Sequence, residues 1–301
     1  MLLRLRAPQS NGLLSDVVIS SSLPAALTPL IERVIYNVLM QDRPKLLRWA
    51  EDLAAPGARA FRRALPCADH AFLRESDRVV MAIFRGMLRI PLYPLPFDCR
   101  CPPPCKQLID VDHAHRCAAH RRRGTTERHD GVARALGEIA AAAGATVYFE
   151  QRADPASGRG LKTDVSIDLL LPTGSAVTEE RFDIDVSMVH GPVLSGLLSA
   201  GFKQRVQQKE GKYVQALKNA GKGIVFKPFV VSSMGTLESQ ATWLLERLAT
   251  HAEQRGRATS SALFYREAML KIQHALHKGN IKMQEDMFAG ARPVPQPPLA
   301  L

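Results

Sequence analysis

Four cysteines and two histidines crowd into one short stretch: Cys99, Cys101, Cys105, His113, His115 and Cys117. Written as Cys101-x3-Cys105-x7-His113-x3-Cys117, the stretch supplies two close thiolates, a loop, then an imidazole and a thiolate. That is the donor set tetrahedral zinc takes, and four protein ligands leave no open position, so the role read from it is structural. Cys99-x-Cys101 could supply the first pair instead, and His115 could replace His113, so six groups compete for four places. The remaining cysteine, Cys67, stands alone and reads as a small buried hydrophobe. An odd count argues against a disulfide framework.

A second chemistry lies downstream. Asp164 opens one alternating stretch and Asp185 sits in another, and a hairpin centred near residue 175 would bring them within two positions of being opposite. Carboxylates at such a separation, roughly 5–8 Å, can share one divalent cation. An all-oxygen set favours Mg²⁺ or Mn²⁺. Such an ion activates water and stabilises charge on a phosphodiester. Two further acids stand nearby in the chain: Glu127, in Glu127-Arg128-His129-Asp130, and Glu150.

The elements that must position these groups follow from periodicity. Residues 163–171 and 182–188 alternate apolar and polar, with Val165, Ile167, Leu169 and then Phe182, Ile184, Val186 on one side. The short connection makes them an antiparallel pair. Helices are expected over 28–40, 44–53, 77–88, 127–143, 202–220, 237–253 and 260–277, and further strands over 146–149 and 224–231. Thr125 or Thr126 is the expected cap of the 127–143 helix and Gly144 its stop. Residues 151–161 read as a loop, with Asp154-Pro155 and two glycines. The prolines of Ile90-Pro91-Leu92-Tyr93-Pro94-Leu95-Pro96 place a boundary near residue 97. The expected organisation is a helical N-terminal region over 1–96, a zinc knuckle over 97–120, a catalytic core over 121–235, C-terminal helices over 236–291 and a disordered tail over 292–301.

Charge points to the partner. Among 301 residues, 40 Lys+Arg stand against 29 Asp+Glu, a net charge of +11. Such an excess favours a polyanion, DNA first and RNA second. Arg116, Arg121, Arg122, Arg123 and Arg128 beside the cysteine cluster form the candidate phosphate-contact surface. A 46% hydrophobic composition suits a folded chain. No apolar run approaches the roughly 20 residues of a membrane helix. The opening Met1-Leu2-Leu3-Arg4-Leu5-Arg6 has no signal-peptide apolar region. The expected location is therefore nuclear or cytoplasmic, neither membrane nor secreted.

The order of these features resembles a known family. A helix with Glu127, then Asp164, then Asp185-x-Ser187 is similar to the PD-(D/E)xK restriction-endonuclease-like fold, in the version shared with archaeal Holliday-junction resolvases. The run from Cys101/Cys105/His113/Cys117 through Arg128-His129-Asp130 resembles the C-terminal endonuclease module of site-specific non-LTR retrotransposons. Phe84-Arg85-Gly86-Met87-Leu88-Arg89-Ile90-Pro91 is similar to the segment before the knuckle in related retroelement proteins. The resemblance implies an α/β (α+β) fold, a mixed sheet flanked by helices, and a DNA endonuclease that nicks target sites. Asp164 and Asp185 would be its catalytic acids, with Glu127 or Glu150 completing the shell. Thr163 stands where the family has Pro, and Ser187 where it has Lys. The family version with a displaced lysine implies Lys209 or Lys212 as the replacement, to orient water or neutralise developing charge. No Tyr-x-Asp-Asp reverse-transcriptase run is present, so the expectation is a detached endonuclease end. The rival expectations are a nucleic-acid-binding protein that keeps fold and knuckle without cutting, and a structural zinc protein with a protein partner.

Overall fold

The structure is a computed structural model. It describes residues 3–8, 14–19, 99–101, 103, 105–107, 109, 113–117, 121–151, 161–173, 176–190, 198–219, 225–289 and 292–293. The helices expected over 28–40, 44–53 and 77–88, together with Cys67, Phe84–Pro91 and most of the 151–161 loop, lie outside the described residues. In the N-terminal region the described segments are strands rather than helices: β1 (Leu3–Pro8) pairs antiparallel with β2 (Leu14–Ile19). Leu3-Arg4-Leu5-Arg6 alternates with period two, which suits a strand better than a helix.

The core is a four-stranded mixed sheet of order β4-β5-β6-β7, comprising Thr146–Phe149, Val165–Thr173, Ala176–Val189 and Val225–Ser232. β4–β5 and β5–β6 are antiparallel, and β6–β7 is parallel. Parallel strands need a crossover. In chain order β3 (Cys99–Arg100), α1 (His113–Arg116) and α2 (Arg121–Ala142) precede β4, and α3 (Leu198–Asn219) is that crossover. After β7 come α4 (Ser239–Gln254), α5 (Ser261–Ala289) and β8 (Arg292–Pro293). No helix among the described residues is long and apolar enough to cross a membrane.

The sheet is covered on both sides. Val165, Ile167, Leu169, Phe182, Ile184 and Val186 pack with Val132, Leu136 and Ile139 of α2, Leu244 and Leu248 of α4, and Ile272 and Leu276 of α5. On the other side, Phe202 and Val206 of α3 join Val189 and Val230. The polar residues expected to alternate with the apolar ones are therefore not a solvent face. Ser166, Asp168, Asp183, Asp185 and Ser187 are all buried. A buried carboxylate must be paired or coordinated, so that face is chemically loaded.

Several boundaries differ from the sequence reading. β6 starts at Ala176 rather than 182, and α3 at Leu198 rather than 202. α2 starts at Arg121, a turn and a half before the expected cap, so Thr125 and Thr126 are interior. Arginine is a good helix former, and the run of three extends the helix upstream. α2 ends as expected. Gly144 takes φ +89°, with Ala145 N–H donating to Ala140 O and Gly144 N–H to Ala141 O, a Schellman stop. α5 continues to Ala289 instead of ending near 277. Finally, Arg292–Pro293 of the expected disordered tail pairs antiparallel with Cys99–Arg100.

Candidate metal centre and candidate active site

The extension of α5 has a physical purpose. Its last turns carry Met283 and Met287, which pack with Cys101, Ile109, Ala114 and Cys117 in a small core of their own. The cysteine segment thus docks on the end of α5 and is further tied by the β3–β8 pair. Within it, Cys101 N–H donates to Gln107 O at 2.8 Å, closing a turn, and Lys106 takes φ +56° just after Cys105. His113 and Cys117 lie one helical turn apart, linked by Cys117 N–H to His113 O at 2.8 Å, so both project from one face.

The donor atoms of Cys101, Cys105, His113 and Cys117 all lie within 4.8 Å of one another. Cys101 Sγ is 3.5 Å from Cys117 Sγ, and Cys105 Sγ is 3.6 Å from His113 Nε2. Thiolates at about 2.3 Å from a tetrahedral centre stand about 3.8 Å apart, so the cluster has the dimensions of a metal site. None of the three cysteines is in a disulfide. Burial, then the neighbouring Cys117 and Cys105, pushes the Cys101 thiol up to about 12. Three crowded sulfurs ionise together only around a cation. The set the structure assembles is Cys3His, a potential metal site compatible with structural zinc. The Cys99 side chain lies outside the described residues. His115, the alternative to His113, is engaged elsewhere: its ring stacks on His190 at 4.0 Å and accepts from Arg128 Nη1 at 3.1 Å.

The two aspartates lie next in register to each other at the end of the β5–β6 ladder. Val165 pairs with Ile184, and Asp164, in the bend before β5, donates its N–H to Ile184 O at 2.8 Å. Asp164 is thereby placed beside Asp185. Its Oδ2 accepts from Val186 N–H at 2.6 Å and from His129 Nε2 at 3.0 Å. His129 Nδ1 in turn donates to Asp130 Oδ1 at 3.1 Å. The hydrogen bond to Asp164 raises the His129 imidazole to about 9 against the opposing effect of burial, with Asp130 adding to the rise. His129 is therefore a cation between two carboxylates.

Asp185 is 4% exposed and forms an ion pair through its Oδ2 with Lys209 Nζ of α3. Tyr213, one turn along α3, stacks on Phe226 and donates its hydroxyl to Lys162 O at 2.8 Å. Burial, then Asp185 and more distantly Asp164, push that phenol well above its ordinary value. A cation reaches each carboxylate from a different layer: His129 from α2, Lys209 from α3.

The remaining sequence candidates separate. Lys212 places its ammonium 4.9 Å over the Tyr213 ring, where Lys209 alone of the two pairs with Asp185. Glu150 is exposed and paired with Lys162 at 2.9 Å, at the mouth of a cavity it shares with His129 and Asp164. Glu127 lines a different groove, between α2 and α5, with Lys278 and Lys282. It does not face Asp164, because His129 occupies that side of α2. Arg128 is buried rather than a surface contact, its Nη1 donating to Asn280 Oδ1 at 2.9 Å as well as to His115. The side chains of Arg116, Arg121, Arg122 and Arg123 lie outside the described residues. Sequence reasoning missed His129 as the partner of Asp164, although the motif containing it was visible, and missed Asn280 and His190, which carry no local signal.

Beside the pair lies a cleft of about 390 Å³, lined by His115, Arg128, His129, His190, Arg205 and Lys209 among others. No protein-family model matches the chain, and no curated protein matches it.

Proposed function

We propose that this protein is a metal-dependent DNA endonuclease with a restriction-endonuclease-like core and a zinc knuckle, of the kind found at the end of site-specific retroelement proteins, acting in the nucleus or cytoplasm. One observation carries the reading. Asp164 precedes the Val165–Ile184 pair at the end of the β5–β6 hairpin, next in register to Asp185, and the crossover helix delivers Lys209 to Asp185 although the usual lysine position holds Ser187. Zinc suits the Cys3His set because its sulfur and imidazole donors match that ion's preference. Asp164 and Asp185 would hold Mg²⁺ or Mn²⁺, which when bound supplies Lewis acidity toward a phosphodiester. The chain's own groups do the rest. Val186 N–H and His129 orient the Asp164 carboxylate. Lys209 holds Asp185 and places a positive charge where charge develops on the phosphate. Tyr213 closes the site from α3, and its hydroxyl keeps the Lys162 backbone in place.

The test is nicking of supercoiled plasmid with Mg²⁺, comparing wild type with Asp164→Ala. Loss of nicking with retained DNA binding supports the reading; a wild-type protein that binds but never nicks overturns it in favour of a nucleic-acid-binding protein. That second reading has its own support. Both carboxylates are already neutralised by the protein's own cations, His129 and Lys209, which is how a site that had dispensed with its divalent ion would look.

A further inference from the structure

The cleft beside the carboxylates has a construction of its own. A closed ring of contacts from four elements and the turn after β7 builds one wall. Arg128 Nη1 of α2 donates to Asn280 Oδ1 of α5 at 2.9 Å. Asn280 Nδ2 donates to Ser233 O at 2.8 Å, and Ser233 Oγ is hydrogen-bonded to His190 Nδ1 at 2.7 Å. His190, at the end of β6, stacks on His115, whose Nδ1 accepts from Arg128. His115 lies between the metal-cluster residues His113 and Cys117. The ring therefore couples the cysteine cluster to the sheet and holds the guanidinium at one place.

The ring also requires an unusual approach of α2 to α5. A Cβ at Gly279 would stand 2.6 Å from the Cα, Cβ and Cγ of Arg128. Burying an arginine at a helix crossing is costly unless its guanidinium is hydrogen-bonded, and here Asn280 and His115 accept from it. Arg128 is 8% exposed.

The lining chemistry favours an anion. Among the described residues, the cleft is lined by Arg128, Arg205, Lys209 and three histidines, and by no carboxylate. Two other cavities along α2 both contain glutamates. His129 and Lys209 lean on Asp164 and Asp185 behind the wall, which leaves the two arginines as the main source of a field that draws an anion. Planar guanidinium groups present paired N–H donors to phosphate oxygens.

We infer that this cleft seats a backbone phosphate of the nucleic acid next to the site of cutting, with Arg128 at its floor and Arg205 at its rim. The substrate class rests on the proposed nuclease reading; the phosphate seat rests on the ring and the lining. Arg205 is half-buried on α3, its Nη1 donating to Gln208 Oε1 at 3.4 Å, and can swing onto a ligand without disturbing the core.

The whole 301-residue chain, purified with zinc, should be titrated calorimetrically with thymidine 3′,5′-bisphosphate at low salt and without Mg²⁺. Binding is expected. Arg205→Gln and Arg128→Gln should each weaken it about tenfold or more, the loss of one charge-assisted hydrogen bond. Arg266→Gln, an exposed charge on α5, should leave it unchanged. If Arg128→Gln does not fold, Arg205→Gln still decides. A short duplex should displace the bisphosphate. No binding by wild type, equal weakening in R266Q, or displacement by inorganic phosphate but not by duplex overturns the seat. Bisphosphate binding without plasmid nicking keeps the seat and removes the nuclease. Nicking that R205Q leaves unaltered, with bisphosphate binding also unaltered, does the reverse.

Discussion

Lys209→Met isolates the contact on which the nuclease reading turns. Asp185 is 4% exposed and Lys209 is its ion-pair partner from α3. Removing one partner of a buried pair strands the other charge and costs about 3–5 kcal/mol. The Lys209 side chain is 19% exposed, so water reaches the ammonium end and the lower part of that range applies. Asp185→Asn should cost a comparable amount, while the double variant, which strands nothing, should cost much less than the sum. Urea unfolding of the four proteins reads the coupling from the shifts in midpoint. A coupling of about 2 kcal/mol is expected, against roughly 0.5 kcal/mol for independent sites. In the nicking assay the same Lys209→Met should lose about 10²–10³-fold in rate, typical for one charge-stabilising group. Lys212→Met, whose ammonium lies over the Tyr213 ring instead, should change neither. Additive destabilisation by K209M and D185N, or full nicking by K209M, would refute the reasoning.

Further outcomes follow from other parts of the molecule. Freshly purified protein should carry one Zn²⁺ per chain, and Cys117→Ser should lose it; structural sites of this type contribute about 10–16 kcal/mol of apparent binding free energy, and metal analysis showing no stoichiometric zinc rejects the site. Replacing Arg121, Arg122 and Arg123 by Ala should lower the log–log salt slope of DNA binding by about 2–3 units if each meets a phosphate, and an unchanged slope places them off the DNA. Because the His129 value is raised to about 9 from 6.5, the folded state keeps a proton there that the unfolded chain releases. Its contribution to stability is full below about 6.5 and is lost as pH rises through about 9. His129→Gln should remove that decline from the pH profile of unfolding midpoints in the metal-free core; the same decline in the variant assigns it to another group. Gly279→Ala should destabilise by about 1–3 kcal/mol, since its Cβ meets the α2 backbone at 2.6 Å. Gly211→Ala, with nothing within 4 Å, should stabilise α3 by about 0.5–1 kcal/mol; thermal midpoints moving the same way for both would contradict the close helix approach.

Much of this protein was legible in local pattern. Alternation in 163–171 and 182–188 set the hairpin and its register, because a one-residue slip would turn every buried Val and Ile outward. Spacing gave the cysteine cluster, because a metal needs two close pairs of donors and short loops can supply them. Gly144 as the stop of α2 followed from the backbone freedom it alone offers there.

What the sequence left open was decided by the third dimension. Whether His113 or His115 joins the cluster depended on His190 and Arg128, far along the chain, which claim the His115 ring. Lys209 and Lys212 were equivalent by composition, and only the rotation of α3 against β6 chose between them. Arg128 looked like one more surface arginine until Gly279 and Asn280 of α5 buried it. Even the length of α5 was settled by docking, since Met283 and Met287 are covered by the cysteine segment. Periodicity and spacing report interactions within a turn or a strand, where sequence distance is spatial distance. Charge pairing and burial between distant segments depend on how the layers pack, and no local pattern carries that information.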